Sequence, residues 1–379
     1  MVKVSVIIPV YNDEDYVEEA LDGILNQTLK DIEVICVNDG STDDSLRILE
    51  EIAERDDRVS VFSQENKGGG AARNYGMKFA KGKYLYFMDA DDIIKENTLE
   101  RTYNVAEEKS LDFLIFKAIN YDEDTDKYYE SEGYSMNVLA DFVKDDVFNF
   151  DDLDEKIFCI SVTPWCKLYN REFVIKSKAQ FAEGLIFHDN IFFWGILFEA
   201  KRIYFLNECL YIRRRHSKSS TGSKDKRFLN IIPITNMIWD IFKQFNVFDR
   251  FKGKLYNKKV NVFMFRYLEI QKEYKELYFK EMKKDFSSID DKTYLYPRTL
   301  ENYEFVLESD THKELDLLLQ KRNLNDKNEE LAKKNKKLEN ENKKLKDKNK
   351  KLKKERKELL SSNSWKLTKP IRNIGRKLK

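Results

Sequence analysis

The first 120 residues predict an α/β fold: a mostly parallel sheet with helices on both faces. Three observations carry this. Short apolar runs alternate with stretches of helical spacing. The runs are almost continuously apolar, as in strands buried on both faces. Each run ends in a loop rich in Gly, Asn or Asp, which punctuates successive β–α units.

Element by element, Val4–Val10 is an apolar strand. Asp15–Asn26 follows as a helix, with Val17, Leu21, Ile24 and Leu25 on one face. Ile32–Val37 is the next strand and Ser45–Glu54 the next helix. Val59–Phe62, Ala71–Ala80 and Tyr84–Met88 read as strand, helix and strand, the last preceded by the turn signal Lys81-Gly82-Lys83. A helix over Asn97–Lys109 and a strand over Phe113–Phe116 complete the series. Residues 121–160 read as acidic, aromatic loop material. Residues 164–310 are rich in helix signals, including Asn190–Glu199 and Arg227–Gln244.

Beyond 310 the composition changes. Leu324, Leu331, Leu338, Leu345, Leu352 and Leu359 recur every seven residues, with Asn328, Asn335, Asn342 and Asn349 at the same period. Leu at d with Asn at a is the pattern of a coiled-coil seam, so a homo-oligomer is expected. A solvated single helix is the alternative, and the excess of Lys favours it through like-charge repulsion. Ser361–Lys379 mixes Trp365 and an apolar stripe of Leu367, Ile371, Ile374 and Leu378 with Lys and Arg. That basic amphipathic pattern suits an anionic membrane surface. Nucleic acid is the less favoured partner, because binding it does not require the stripe.

The net charge of +1 conceals an asymmetry. Residues 321–379 hold 23 basic and 8 acidic residues, and 1–320 hold 45 and 59. An acidic body therefore precedes a strongly basic tail. The four cysteines, Cys36, Cys159, Cys166 and Cys209, lack metal-site spacing. No secretory signal and no long uncharged apolar run is present, so the expected location is cytoplasmic, peripheral on the inner face of the cell membrane.

The chemistry concentrates where strands end. Tyr84–Met88 runs into Asp89, Asp91 and Asp92. Clustered acids at the C-terminal edge of an open α/β sheet sit where such sheets bind ligands. Mutual repulsion between them is relieved by a hard divalent cation. Turn formation and helix capping by Asp92 or Asn97 explain the same residues without a metal. Three further loops point the same way. Pro9-Val-Tyr-Asn12 offers an aromatic face and an amide. Asp39 can accept from a base N–H, while Ser41–Asp43 cap the next helix. Gly68-Gly-Gly70 permits close backbone approach, and Arg73 sits one turn into the helix behind it. The triple glycine lacks the Lys-Ser/Thr of a phosphate-binding P-loop, and three histidines make His-based nucleophilic chemistry a poor fit.

Together, Val4–Asn12, Val37–Asp43, Asn66 through Arg73-Asn-Tyr-Gly76, and Met88-Asp-Ala-Asp-Asp92 resemble the signature of glycosyltransferase family 2 on a GT-A, Rossmann-like fold. Thr163–Tyr169, Phe187–Phe193 and Tyr211–Ser217 resemble the family's acceptor half. The resemblance implies a GT-A domain over 1–220, with a nucleotide-sugar half at 1–120 and an acceptor half at 121–220. A helical extension over 221–310, a coiled coil over 311–360 and the tail over 361–379 would follow.

The resemblance also implies roles. Pro9, Tyr11, Asn12, Asp39, Arg73 and Asp89 would bind the donor. Asp91 would bind Mn²⁺ or Mg²⁺, with Asp89 and His216 as further candidate ligands. Asp189 would be the catalytic base of an inverting transfer, with a helix N-cap as its alternative role. His188 stands where the family usually has Glu. Read from the residues themselves, Arg213, Arg214, Arg215 and His216 form a basic patch that can close over the diphosphate, with a plain surface loop as the alternative. Trp165 can stack against an acceptor sugar, although a buried core Trp is the more common fate. The activity implied is a metal-dependent hexosyl transfer from a nucleotide sugar, a UDP-sugar first, to a glycan or lipid-linked acceptor in surface polysaccharide or glycolipid synthesis. A non-catalytic scaffold and a sugar nucleotidyltransferase are the competing readings. The loop after strand one lacks the Gly-rich, basic character that the nucleotidyltransferase needs.

Overall fold

The structure is a computed structural model that describes residues 1–216, 224–368 and Arg372. It divides into two units, Met1–Leu307 and Glu308–Lys379.

In the first unit, β1 (Val4–Val10), β2 (Ile32–Asn38), β3 (Val59–Ser63) and β4 (Tyr84–Phe87) lie parallel in the order β3-β2-β1-β4. Their side chains are almost wholly buried in β1, β2 and β4, which is why these segments read as continuous apolar runs. Helices α1 (Val17–Leu25), α2 (Ser45–Ala53), α3 (Gly69–Met77) and α4 (Thr98–Glu108) fall within a few residues of their expected positions.

The sheet continues beyond β4 in a way the local patterns did not announce. β8 (Lys167–Asn170) runs antiparallel between β4 and β6 (Phe113–Asp122). β9 (Ile203–Arg215) lies parallel to β6, and the two-residue β5 (Ile93–Ile94) closes the path antiparallel to β9. β7 (Lys127–Tyr129) forms a hairpin with the end of β6. Residues 121–160 are thus not simply loop. They contain this hairpin and the helices Asn137–Val143 and Phe150–Leu153, whose Leu139, Val143 and Leu153 are buried.

Asp189–Leu197, Ile231–Gln244 and Phe248–Glu269 are the main helices that follow. Phe158, Trp194, Phe198, Phe242 and Phe251 interlock as an aromatic core, with centroids 4.8 to 6.0 Å apart across the contacts of Phe242. In the second unit, the helix His312–Ser361 starts at Thr311, whose hydroxyl accepts the Glu314 N–H. The membrane stripe expected from Leu367 through Ile371, Ile374 and Leu378 lies, after Leu367, outside the described residues.

Candidate active site

β4 ends with the Met88 N–H donating to the Ile7 carbonyl, and the chain then turns into the acids. The three acids separate at once. Asp92 is buried, and its carboxylate accepts from the Tyr211 hydroxyl at 2.6 Å and from the Arg214 N–H at 2.7 Å. It caps no helix. α4 begins later, at Thr98, and Asp92 instead ties the acidic turn to β9. Asp91 stays partly open, with the His216 Nε2 2.9 Å from its Oδ2. Asp89 accepts from the buried Arg73 guanidinium. One carboxylate oxygen from each of the three lies within 4.8 Å of the others.

Arg73 links the acidic turn after β4 to the residues around His188. From one turn into α3, its other amino group lies 3.4 Å from His188 Nε2. His188 Nδ1 in turn lies 2.9 Å from Asp189 Oδ1, an ion-pair distance without hydrogen-bond alignment. The glycines make this approach feasible. A Cβ on Gly70 would stand 2.4 Å from the Ala182 carbonyl oxygen and 3.1 Å from His188 Cγ. Asn74, next to Arg73, exchanges hydrogen bonds with the Phe181 backbone at 2.9 Å and fixes the 181–183 segment.

Asp189 is the first residue of its helix and makes no capping bond. Phe187, two residues earlier, has φ of +66°, a left-handed conformation costly for an aromatic residue. Arg266 from the Phe248–Glu269 helix lies 4.7 Å from its ring, and Asn230 accepts the Ile186 N–H. The helical residues therefore hold the turn that presents Asp189.

Burial and charge set opposite protonation tendencies. For Asp189, burial would push the carboxyl up, but His188, Arg73 and Lys167 hold it below the usual range. For Asp89, burial dominates, Asp91 and Asp189 add repulsion, and the carboxyl is raised despite Arg73. Asp92 is raised well above normal by burial and its two neighbouring acids.

Asp13 was missed by sequence reasoning, because it belongs to no motif. It accepts the Tyr11 N–H at 3.0 Å. Burial first, and the charges of Asp91, Asp89 and Asp43 after it, push its carboxyl up to about 7. Tyr211 was not singled out, and Arg214 was read only as one member of a basic patch. Tyr211 bridges Asp89 and Asp92, and Arg214 is held by Glu19, Glu123 and the Asp91 carbonyl. Only the basic run at 213–215 signalled Arg214, and it gave no hint of which arginine points inward.

Of the expected donor residues, Tyr11 is 47% exposed and Pro9 is half-buried. Asn12 spends its side-chain oxygen on Thr42 N–H at 2.7 Å, joining the first two loops. Asp39 is buried and accepts from Gln64 Nε2, Lys67 N and Gly68 N at 2.7 to 2.9 Å, which fixes the glycine loop. Trp165 requires a correction. It is 3% exposed and stacked on Tyr211 at 4.6 Å, so its ring belongs to the core and offers no platform to an acceptor. Arg213 lies 5.6 Å from the Tyr134 ring, and Arg215 is exposed at the end of β9.

Comparison with known proteins agrees with this architecture. The model of the family "Glycosyl transferase family 2" matches residues 5–177. The glycosyltransferase GlyG of Streptococcus pneumoniae is 36% identical over 218 residues, 57% of this chain and 72% of GlyG. The cholesterol galactosyltransferase of Borreliella burgdorferi is 31% identical over 262 residues, 64% of this chain and 72% of the relative. The crystal structure of S. aureus TarS 1–349 in complex with UDP-GlcNAc shares the fold, with a TM-score of 0.53 and 21% identity over 81% of this chain and 91% of that one.

A GT-A-like sheet with an acid cluster at its C-terminal edge puts that cluster where open α/β sheets bind their ligands. The chain belongs to glycosyltransferase family 2 and is a glycosyltransferase.

Proposed function

We propose that this chain is an inverting, metal-dependent glycosyltransferase that takes its sugar from a nucleoside diphosphate donor. The observation that carries the reading is the Arg73 bridge. One buried guanidinium pairs with Asp89 on the donor side and meets the His188–Asp189 corner on the other.

Pro9, Tyr11 and Asp39 line the nucleoside end, and Arg73 and Asp89 the ribose and diphosphate. Asp91 and His216 would hold a divalent cation, Mn²⁺ or Mg²⁺. The fit is chemical: hard carboxylate oxygens, an imidazole whose buried Nδ1 has no hydrogen-bond partner among the described residues, and crowded acids that need a counter-charge. When bound, such an ion neutralises the diphosphate leaving group.

Asp189, kept ionised, takes the proton of the acceptor hydroxyl. The acceptor oxygen then forms its bond to the anomeric carbon as the bond to the diphosphate oxygen breaks. A glycan or lipid hydroxyl in surface polysaccharide or glycolipid synthesis is the acceptor class in keeping with the curated relatives. UDP-GlcNAc and UDP-hexoses are the donors to try first.

Asp91→Asn should abolish Mn²⁺-stimulated donor hydrolysis while the melting curve stays cooperative; retained turnover sinks the metal assignment. Asp189→Asn should keep donor binding and lose transfer by about 10²- to 10⁴-fold, the usual worth of a general base. An active variant would move the base elsewhere.

The basic tail supports docking on an anionic membrane. Full-length protein should float with phosphatidylserine-containing liposomes and a 1–360 truncation should not. Equal flotation removes the membrane role.

A further inference from the structure

The helix His312–Ser361 presents a stripe that the described residues leave open. From Asn323 to Ser361 every residue is exposed, and the six leucines from Leu324 to Leu359 stand 47 to 62% open. Isolated helices gain little stability in water without a packed face. The ion pairs Lys351–Glu355 and Lys354–Glu358 span 4.0 and 3.9 Å and are fully exposed to screening, so they add little.

The pattern of the stripe selects its partner. With the leucines at heptad position d, Asn328, Asn335, Asn342 and Asn349 occupy a. Two parallel copies in register set Leu against Leu and Asn against Asn. Each buried amide then meets a group that can both donate and accept. Antiparallel copies set a layers against d layers and bury every amide against leucine.

The flanking charges agree. In register, Lys334 at g faces Glu339 at e of the second copy, and Glu341 faces Lys346, while Lys348 faces Lys353 unfavourably. A slip of one heptad loses an end layer and brings Glu341 against Glu339 and Lys348 against Lys346. Polar a layers disfavour larger bundles.

We propose that residues 324–359 pair with the same segment of a second copy as a parallel, in-register two-stranded coiled coil. Both chains enter the pair from the same end. This inference stands on the helix alone and is independent of the catalytic assignment.

Sedimentation equilibrium of the full chain should give twice the chain mass. Leu338→Lys with Leu345→Lys should halve that mass and leave donor binding unchanged. Orientation is read from Asn335→Cys. Oxidation should give a covalent dimer, because same-layer residues of a parallel pair lie within disulfide reach. Lys333→Cys, on the outer face, should not cross-link, and nor should the native protein. One-chain mass at every concentration, three or more chains, a dimer surviving the double Leu substitution, or a dimer whose Asn335→Cys form fails to cross-link would each overturn the proposal.

Discussion

Asp13 is the residue whose environment has the clearest thermodynamic consequence. Its carboxyl is raised from 3.8 to about 7 by burial and by Asp91, Asp89 and Asp43. Between pH 4 and 7 the folded chain therefore keeps a proton that the unfolded chain has released. Stability falls as pH rises through that window, by at most about 1.4 kcal/mol per unit for one proton. Asp89 and Asp92 shift the same way and add to the slope. Asp189 has the opposite sign: its carboxyl is depressed, so its contribution is present above the ordinary carboxylate range and lost in more acidic solution. The metal-free protein should show a melting temperature that declines from pH 5 to pH 7, and Asp13→Asn should flatten the decline. An unchanged slope in that variant would show that Asp13 is not the group responsible.

Among the elements, α3 matters most to the site, because it carries Arg73 and Asn74 and begins in the glycine loop clamped by Asp39. Its closeness to the 181–188 segment depends on Gly70, where an added Cβ would overlap the Ala182 carbonyl oxygen. Backbone cannot yield as a flexible side-chain tip does. Gly70→Ala should destabilise the protein by about 1–3 kcal/mol, the usual range for overpacking, and impair transfer by displacing His188. Gly133→Ala, with open space around its Cβ, is the control. Melting curves and transfer rates of the two variants check the expectation; equal behaviour would mean that the close approach is not needed.

At the scale of the molecule, the chain joins an acidic catalytic body to a basic helical tail, and no described helix is long and apolar enough to cross a membrane. The sequence by itself determined the β–α series to β4 and singled out Asp89, Asp91, Arg73 and Asp189 as candidates. β1, β2 and β4 are buried on both faces and so read as continuous apolar runs, and the loops after them concentrate Gly, Asn and Asp. The heptad stripe was equally legible, since its period is local. The tertiary structure alone decided the insertion of β8 between β4 and β6, because strand order depends on pairing between segments some 80 residues apart in the chain. It also decided which of the clustered acids is structural. Asp91 and Asp92 are neighbours with the same side chain, yet the Tyr211 hydroxyl and Arg214 N–H from β9 claim Asp92 and leave Asp91 partly open. Trp165 was decided in the same way, by the flat ring of Tyr211 lying against it. Local pattern sets what a residue can do; the long-range partners that reach it set which of those things it does.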